Sequence, residues 1–347
     1  MNTREFYLTR FPSDFDAQPV LIPRPDIEWE SVAVFNPGVI ADGGLVRMLY
    51  RTYPSETHEG KPRPHRQGKN LIDQRSYIGY ADSRDGIHFE RRDEPFIIPD
   101  MPYDRHGCED PRITRIGDTF YITYTAIDGP LGDGYDEPHI RIALATTKDF
   151  VDVTKHGIIG PDRTSKAAAL FSEPVNGGRI GLIMTINSDS TNSHVATRYY
   201  DSIESMMNQT AETWDEFLQH SRDTAALKTE WWLHRGPELG APPIRTEKGW
   251  LLIYSPEAMG HVWTVGAALL DLDEPHKLIA RTPGFILQPV ARHECEGLVP
   301  QVTFPSAAIV QGDELYVYYG AADTTIGLAT CKIEKILAYL SQFEGLG

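Results

Sequence analysis

The chain has 347 residues, 41% of them hydrophobic and 24% charged, the composition of a globular protein long enough to bury a substantial core. Its net charge of −16 argues against a nucleic-acid partner or an anionic membrane surface, since both reward positive patches, and favours a neutral substrate over a polyanion. Three cysteines (Cys108, Cys295, Cys331) form no CxxC pair, there is no apolar leader, and no run reaches the roughly 18 apolar residues of a membrane span, so the expected location is the cytoplasm.

A polar amino-terminal arm covers residues 1–20. Beyond it a pattern recurs: a Gly-containing turn, an aromatic or aliphatic strand, then a second strand with small residues. It starts at Asp42 ("DGGLVRMLYRTY"), Ile116 ("IGDTFYITYTA"), Asn176 ("NGGRIGLIMTI"), Glu247 ("EKGWLLIYSPE") and Gln311 ("QGDELYVYYGAAD"). The copies are roughly 60 to 75 residues apart, longer than the approximately 40 to 50 of familiar propeller repeats. Five such units predict an all-β fold, a five-bladed β-propeller forming a single domain over 1–347, in preference to a β-sandwich with similar hairpins. Two segments break the pattern. Residues 212–228 have helical spacing, with Thr213 and Glu216 as a capping box, and 332–343 predict a C-terminal helix. Both are assigned structural roles.

The chemistry-bearing candidates are acids at strand ends: Asp110 in "HGCEDPRIT", Glu257 in "IYSPEA", Glu296 in "HECEGLVP" and Asp323 in "GAAD". Glu109 and Asp110 are adjacent, and adjacent residues on a strand point to opposite faces, so they cannot share one role. Loop-mounted acids are often only solvated, but all four occupy similar places in the repeat. Paired carboxylates suit glycosidic bond cleavage, one protonating the leaving oxygen while the other activates water or attacks carbon. Tyr103, Trp231, Trp232 and Trp263 could stack on sugar faces, although propellers and sandwiches bury many aromatics anyway.

Seven motifs occur in order: "FNPGVI" (35–40), "LYRTY" (49–53), "SYIGYADSRDGIHF" (76–89), "EDPRIT" (109–114), "GAPPIRTEKGWLLIY" (240–254), "EGLVPQVTFP" (296–305) and "YYGAAD" (318–323). Together they resemble glycoside hydrolase family 130, which holds mannoside phosphorylases and a smaller set of β-1,2-mannosidases, and the resemblance runs from about residue 18 to 332. It implies a five-bladed propeller with Asp110 as general acid, relaying its proton through the mannose 3-hydroxyl. Glu109 would point away, toward Arg112 or a neighbouring strand. Asn36, Arg51, Ser76 and Asp323 match positions around the mannose of the −1 subsite.

Phosphorolysis and hydrolysis by this acid differ in the nucleophile. Phosphate needs several cationic donors, whereas water needs a carboxylate base. Of three phosphate-binding features usual in the family's phosphorylases, only Lys166, in "SKAAALFSEP", matches. Met184 and Thr185 stand where a His-Arg pair is expected, and Ser255 replaces a His. Glu257 and Glu296 resemble the two glutamates by which the mannosidase branch holds water. The expectation is therefore an inverting β-mannosidase, with β-1,2 as the preferred linkage. The alternative is a mannoside phosphorylase releasing mannose 1-phosphate, with Lys166, Arg51 and an Arg or His from 179–235 on the phosphate; a second is a sugar-binding propeller without catalysis. The expected partner is a mannose-containing oligosaccharide, with inorganic phosphate only for the phosphorylase. No metal or organic cofactor is implied, and assembly into a homo-oligomer is left open.

Overall fold

Five antiparallel sheets form the blades of a propeller in a computed structural model that describes residues 6–54, 58–60, 70–72, 75–130, 138–162, 164–230 and 233–345. The first blade runs outward through Ala33–Asp42, Leu45–Tyr53, Tyr77–Ser83 and Glu90–Arg91, and the second through Gly107–Ile116, Thr119–Ile127, Ile140–Thr147 and Thr154–Ile158. The third uses Ala168–Leu170, Ile180–Ile186, His194–Tyr200 and Leu227–Lys228. The fourth is built on Leu233–Leu239, Gly249–Ala258, Gly266–Leu270 and Leu278–Arg281, with Ile244–Thr246 and Val262–Trp263 added to its second strand. The fifth takes Thr303–Gln311, Glu314–Ala321 and Thr325–Lys332 from the end of the chain and Thr9–Arg10 from its beginning. The recurring unit in the sequence is the middle hairpin of each blade.

Each blade is apolar on both faces, so the core is divided among the joints between blades. Leu49, Ile78 and Tyr80 of the first blade meet Ile113, Ile122 and Tyr124 of the second. Equivalent clusters join the second to the third, the third to the fourth, the fourth to the fifth and the fifth to the first. The ring is closed by the amino-terminal arm: Arg10 donates from Nε to Glu294 Oε1 (2.7 Å) and from Nη2 to Glu294 Oε2 (3.0 Å). Tyr319 Oη donates to the same carboxylate at 2.7 Å. Burial alone would raise the Glu294 carboxyl, but Arg10 and the backbone N–H of Val290 hold it below the usual range.

The insertion forms two helices, Ile203–Met207 and Ala211–His220, over the joint between the second and third blades. The capping box is Thr210 with Thr213 instead of Thr213 with Glu216: the Thr210 hydroxyl accepts from Thr213 N, and the Thr213 hydroxyl accepts from Thr210 N. Trp214 is buried there with Arg198 over its ring at 4.2 Å. Trp214→Ala should therefore cost about 3–5 kcal/mol in denaturant unfolding. The C-terminal helix, Ile333–Leu340, continues as a 3-10 turn to Phe343 and buries Ile336 and Leu340 at the joint between the fourth and fifth blades.

Candidate active site

Four of the five innermost strands carry an X-Pro step at a break in strand register: Asn36-Pro37, Asp110-Pro111, Gly236-Pro237 and Phe304-Pro305. Proline has no N–H for the ladder, and the extra residue of a bulge re-aims its neighbours. Asn36 (φ 46°) and Asp110 (φ 50°) both adopt the left-handed conformation at these steps. The blades approach closely here: a Cβ on Gly240 would lie 2.3 Å from the Pro305 carbonyl oxygen.

The bulge decides how the two adjacent acids are used. Glu109 Oε1 accepts from Ser76 Oγ at 2.8 Å and pairs with Arg51 Nη2 at 2.8 Å. Asp110 Oδ1 accepts from Asn36 Nδ2 at 3.0 Å and from Arg51 Nη1 at 3.2 Å. The two carboxylates therefore converge on one guanidinium. Of the two expected partners for Glu109, Arg112 or a neighbouring strand, it takes the second, Arg51; the expectation that it points away from Asp110 fails, because the register shift between Glu109 and Arg112 interrupts the alternation of a regular strand. Arg112 is fully buried and donates to three carbonyls: Gly240 (3.0 Å), Asp110 (2.6 Å) and Leu239 (3.3 Å). It ties the bulge of the second blade to the inner strand of the fourth.

Arg51 also lies against the rings of Phe35 (4.6 Å) and Tyr53 (4.7 Å), donating to the Tyr53 hydroxyl. Burial would lower its pKa, but Glu109, Asp110 and Asp323 outweigh burial and raise it, so Arg51 stays charged. Asp323 is thus placed close enough for its charge to act on Arg51. Burial raises the Glu109 carboxyl, and Arg51 only partly offsets this. Asn36, Arg51, Ser76, Asp110 and Asp323 are brought together. Asn36 Oδ1 is buried and meets no hydrogen-bond partner among the described residues, leaving one acceptor for a ligand hydroxyl.

A second group enters from the third and fourth blades. Lys166 pairs with the Asp189 carboxylate, and its charge also acts on Glu109 and Glu238. Asp189 N donates to Glu238 Oε1 at 2.9 Å. Arg235 Nη1 donates to the Asp189 carbonyl at 3.3 Å, and its Nε lies 3.3 Å from Glu257 Oε2. Glu238, Asp189 and His261 were not among the residues singled out from sequence; the "GPE" at 236–238, which repeats the X-Pro step of "NPG" and "DPR", is the signal that could have found Glu238.

Burial and the neighbouring Asp189 push the Glu238 carboxyl up to about 7 from an ordinary 4.5. The folded state then holds this proton more tightly than the unfolded chain, so stability declines as pH rises from about 4.5 to about 7. Glu238→Gln should flatten that part of the profile and gain melting temperature relative to the parent at pH 8. Parallel melting-temperature profiles for the two proteins between pH 5 and 8 would contradict this assignment.

Other expected site residues lie elsewhere. Glu296 has a side chain 65% exposed, and its carboxylate is held by Arg292 at 2.8 Å. It does not join Glu257, which is 2% exposed. The short helix Arg292–Cys295 turns Glu294 inward to Arg10 and leaves Glu296 at its solvent end. Tyr103 packs in the joint between the first two blades with Ile97 and Tyr124, not beside Asp110. Trp263 is half-buried against Phe304, centroids 5.7 Å apart, beside one of the X-Pro steps. Trp231 and Trp232 lie outside the described residues. The positions that lack phosphorylase donors have structural uses: Met184 is core, the Thr185 hydroxyl accepts from Leu239 N at 2.8 Å, and the Ser255 hydroxyl donates to the Thr264 carbonyl at 2.8 Å.

The family model for glycoside hydrolase family 130, described as beta-1,4-mannooligosaccharide phosphorylase, matches residues 9–342. The chain is 35% identical over 319 residues to a 1,2-beta-oligomannan phosphorylase of Thermoanaerobacter sp. (strain X514), covering 92% of this chain and 96% of the relative. It is also 35% identical over 331 residues to a beta-1,2-mannobiose phosphorylase of the same organism, covering 95% and 99%. Among solved structures, the beta-1,2-mannobiose phosphorylase of Listeria innocua in complex with beta-1,2-mannobiose superposes with a TM-score of 0.71 at 26% identity, covering 99% of this chain and 100% of that one. These relatives overturn the expectation of hydrolysis, since all three are phosphorylases. The separation of Glu296 from Glu257 removes the paired-glutamate base on which that expectation stood. With nearly its whole length matched, the chain belongs to glycoside hydrolase family 130.

Proposed function

We propose that the protein is an inverting β-mannoside phosphorylase acting on β-1,2-linked mannooligosaccharides. The observation that carries this reading is the 35% identity, over more than nine-tenths of the chain, to two phosphorylases of that linkage. The site supports it with Lys166 and Arg235, which enter from the third and fourth blades, Lys166 close enough for its charge to act on Glu109 beside Asp110.

Asp110, held by Asn36 and Arg51, supplies the proton. Carried over from the family, the relay runs through the mannose 3-hydroxyl: this hydroxyl gives its proton to the glycosidic oxygen as it takes one from Asp110. The C1–oxygen bond breaks, a phosphate oxygen forms a bond to C1 from the opposite face, and α-mannose 1-phosphate leaves with the shortened sugar. Lys166, Arg235 and Arg51 are the donors for the phosphate. All three are already paired, Lys166 with Asp189, Arg235 with Glu257 and Arg51 with Glu109 and Asp110, so an entering phosphate shares or takes over contacts that carboxylates hold in its absence.

The reverse reaction is the test. Given α-mannose 1-phosphate and mannose, the enzyme should release inorganic phosphate and build a β-1,2-linked disaccharide. Failure to release phosphate with any mannose-containing acceptor would sink the reading.

A further inference from the structure

Glu257 would serve a hydrolase by holding water, but opposite a phosphate nucleophile that use disappears. Its geometry is unusual for a carboxylate 2% exposed. Oε1 lies 2.9 Å from His261 Nδ1. Oε2 is closed off from solvent and meets no hydrogen-bond donor among the described residues, with the Arg235 Nε at 3.3 Å in ion-pair contact only. Buried carboxylate oxygens are normally satisfied, so this one has spare capacity for a ligand. The His234 ring stands edge-on to His261 with centroids 4.2 Å apart. One ligand atom each from His234, Glu257 and His261 lies within 4.8 Å of the other two.

The backbone holds this trio from three directions. Glu257 is on the second strand of the fourth blade, opposite Arg235 on one side and Trp263 on the other. His234 precedes Arg235 on the inner strand, and His261 closes the turn before Val262–Trp263. His261 sits at φ 63°, a conformation that side chains adopt at some cost and that is tolerated where the surroundings demand it.

We propose that His234, Glu257 and His261 form a binding site for a first-row divalent transition-metal ion of the Zn²⁺ class. Two imidazoles and one carboxylate are the donor set that such ions prefer, with a fourth position left for water or another ligand. Mg²⁺ and Ca²⁺, which favour all-oxygen shells, fit the set poorly. Arg235, 3.3 Å from Glu257 Oε2, weakens the carboxylate's pull on a cation, so micromolar affinity is expected rather than that of a structural zinc site. No metal-ligand spacing is visible in the sequence because the three residues converge only when the strands pair. The site does not depend on the phosphorolysis reading.

The experiment is calorimetric titration of ZnCl₂ into the full-length, EDTA-stripped protein in phosphate-free buffer at about pH 7.5, where imidazole is largely neutral. The wild type should saturate near one equivalent and gain melting temperature with the ion. His234→Ala and Glu257→Gln should each lose at least tenfold in affinity, whereas His139→Ala, at an exposed side chain just before the third strand of the second blade, should bind as the parent does. Co²⁺ added to the wild type should give visible d–d bands well above the intensity of the aquo ion, a readout that needs no variant. Absence of both saturable zinc binding and cobalt bands in the wild type would overturn the site, as would binding that survives in folded His234→Ala and Glu257→Gln. Neither outcome touches phosphate-dependent turnover, which is measured separately.

Discussion

Asp110→Asn should fold and bind mannoside like the parent while losing roughly 10²–10⁴-fold in kcat, the usual share of a positioned general acid. The amide has the carboxylate's shape, and its oxygen can still accept from Asn36 and Arg51, so the cluster survives. Arg51 also keeps Glu109 at 2.8 Å and does not become an unpaired buried charge. What the variant lacks is a proton acidic enough to pass on. An activated aryl mannoside, whose leaving group needs no proton, should therefore recover much of the lost rate. Equal losses on the natural and the activated substrate would instead indicate a positioning role. A large drop in melting temperature would indicate a structural one.

The second large effect concerns phosphate. A charge-assisted hydrogen bond is worth about 1.5–3 kcal/mol, so Lys166→Ala or Arg235→Ala should raise KM for phosphate by about 10- to 100-fold. At saturating phosphate the KM for mannoside should move much less, since neither substitution touches Asp110 or its partners Asn36 and Arg51. The two variants differ in their secondary consequences. Removing Lys166 takes away a charge that lowers Glu238, so that carboxyl should rise further and the enzyme should become more pH-sensitive. Removing Arg235 leaves Glu257 to His261 alone. Kinetics with phosphate and mannobiose varied independently separate these effects, and unchanged phosphate KM in both variants would remove the two residues from the phosphate site.

The propeller was legible because each blade repeats a Gly-containing turn followed by two short apolar strands, which reports local structure directly. The site was legible where a motif coincides with a backbone feature, as at Asp110-Pro111. It was not legible where partners lie far apart along the chain. Nothing near "HECE" tells which glutamate is buried; Arg10, 284 residues away, selects Glu294 and leaves Glu296 in solvent. The direction of Glu109 was misread because a bulge breaks the two-residue period on which the reading relied. The helix cap shifted because only "TWDE" spells the usual box, whereas the fold starts the helix one turn earlier and lets the Thr213 hydroxyl take the place of the glutamate.

The decisive measurement is product identity when the protein is incubated with β-1,2-mannobiose, with and without inorganic phosphate. Phosphorolysis predicts mannose and mannose 1-phosphate in equal amounts, formed only when phosphate is present. Two equivalents of free mannose, released at the same rate in both incubations, would contradict it.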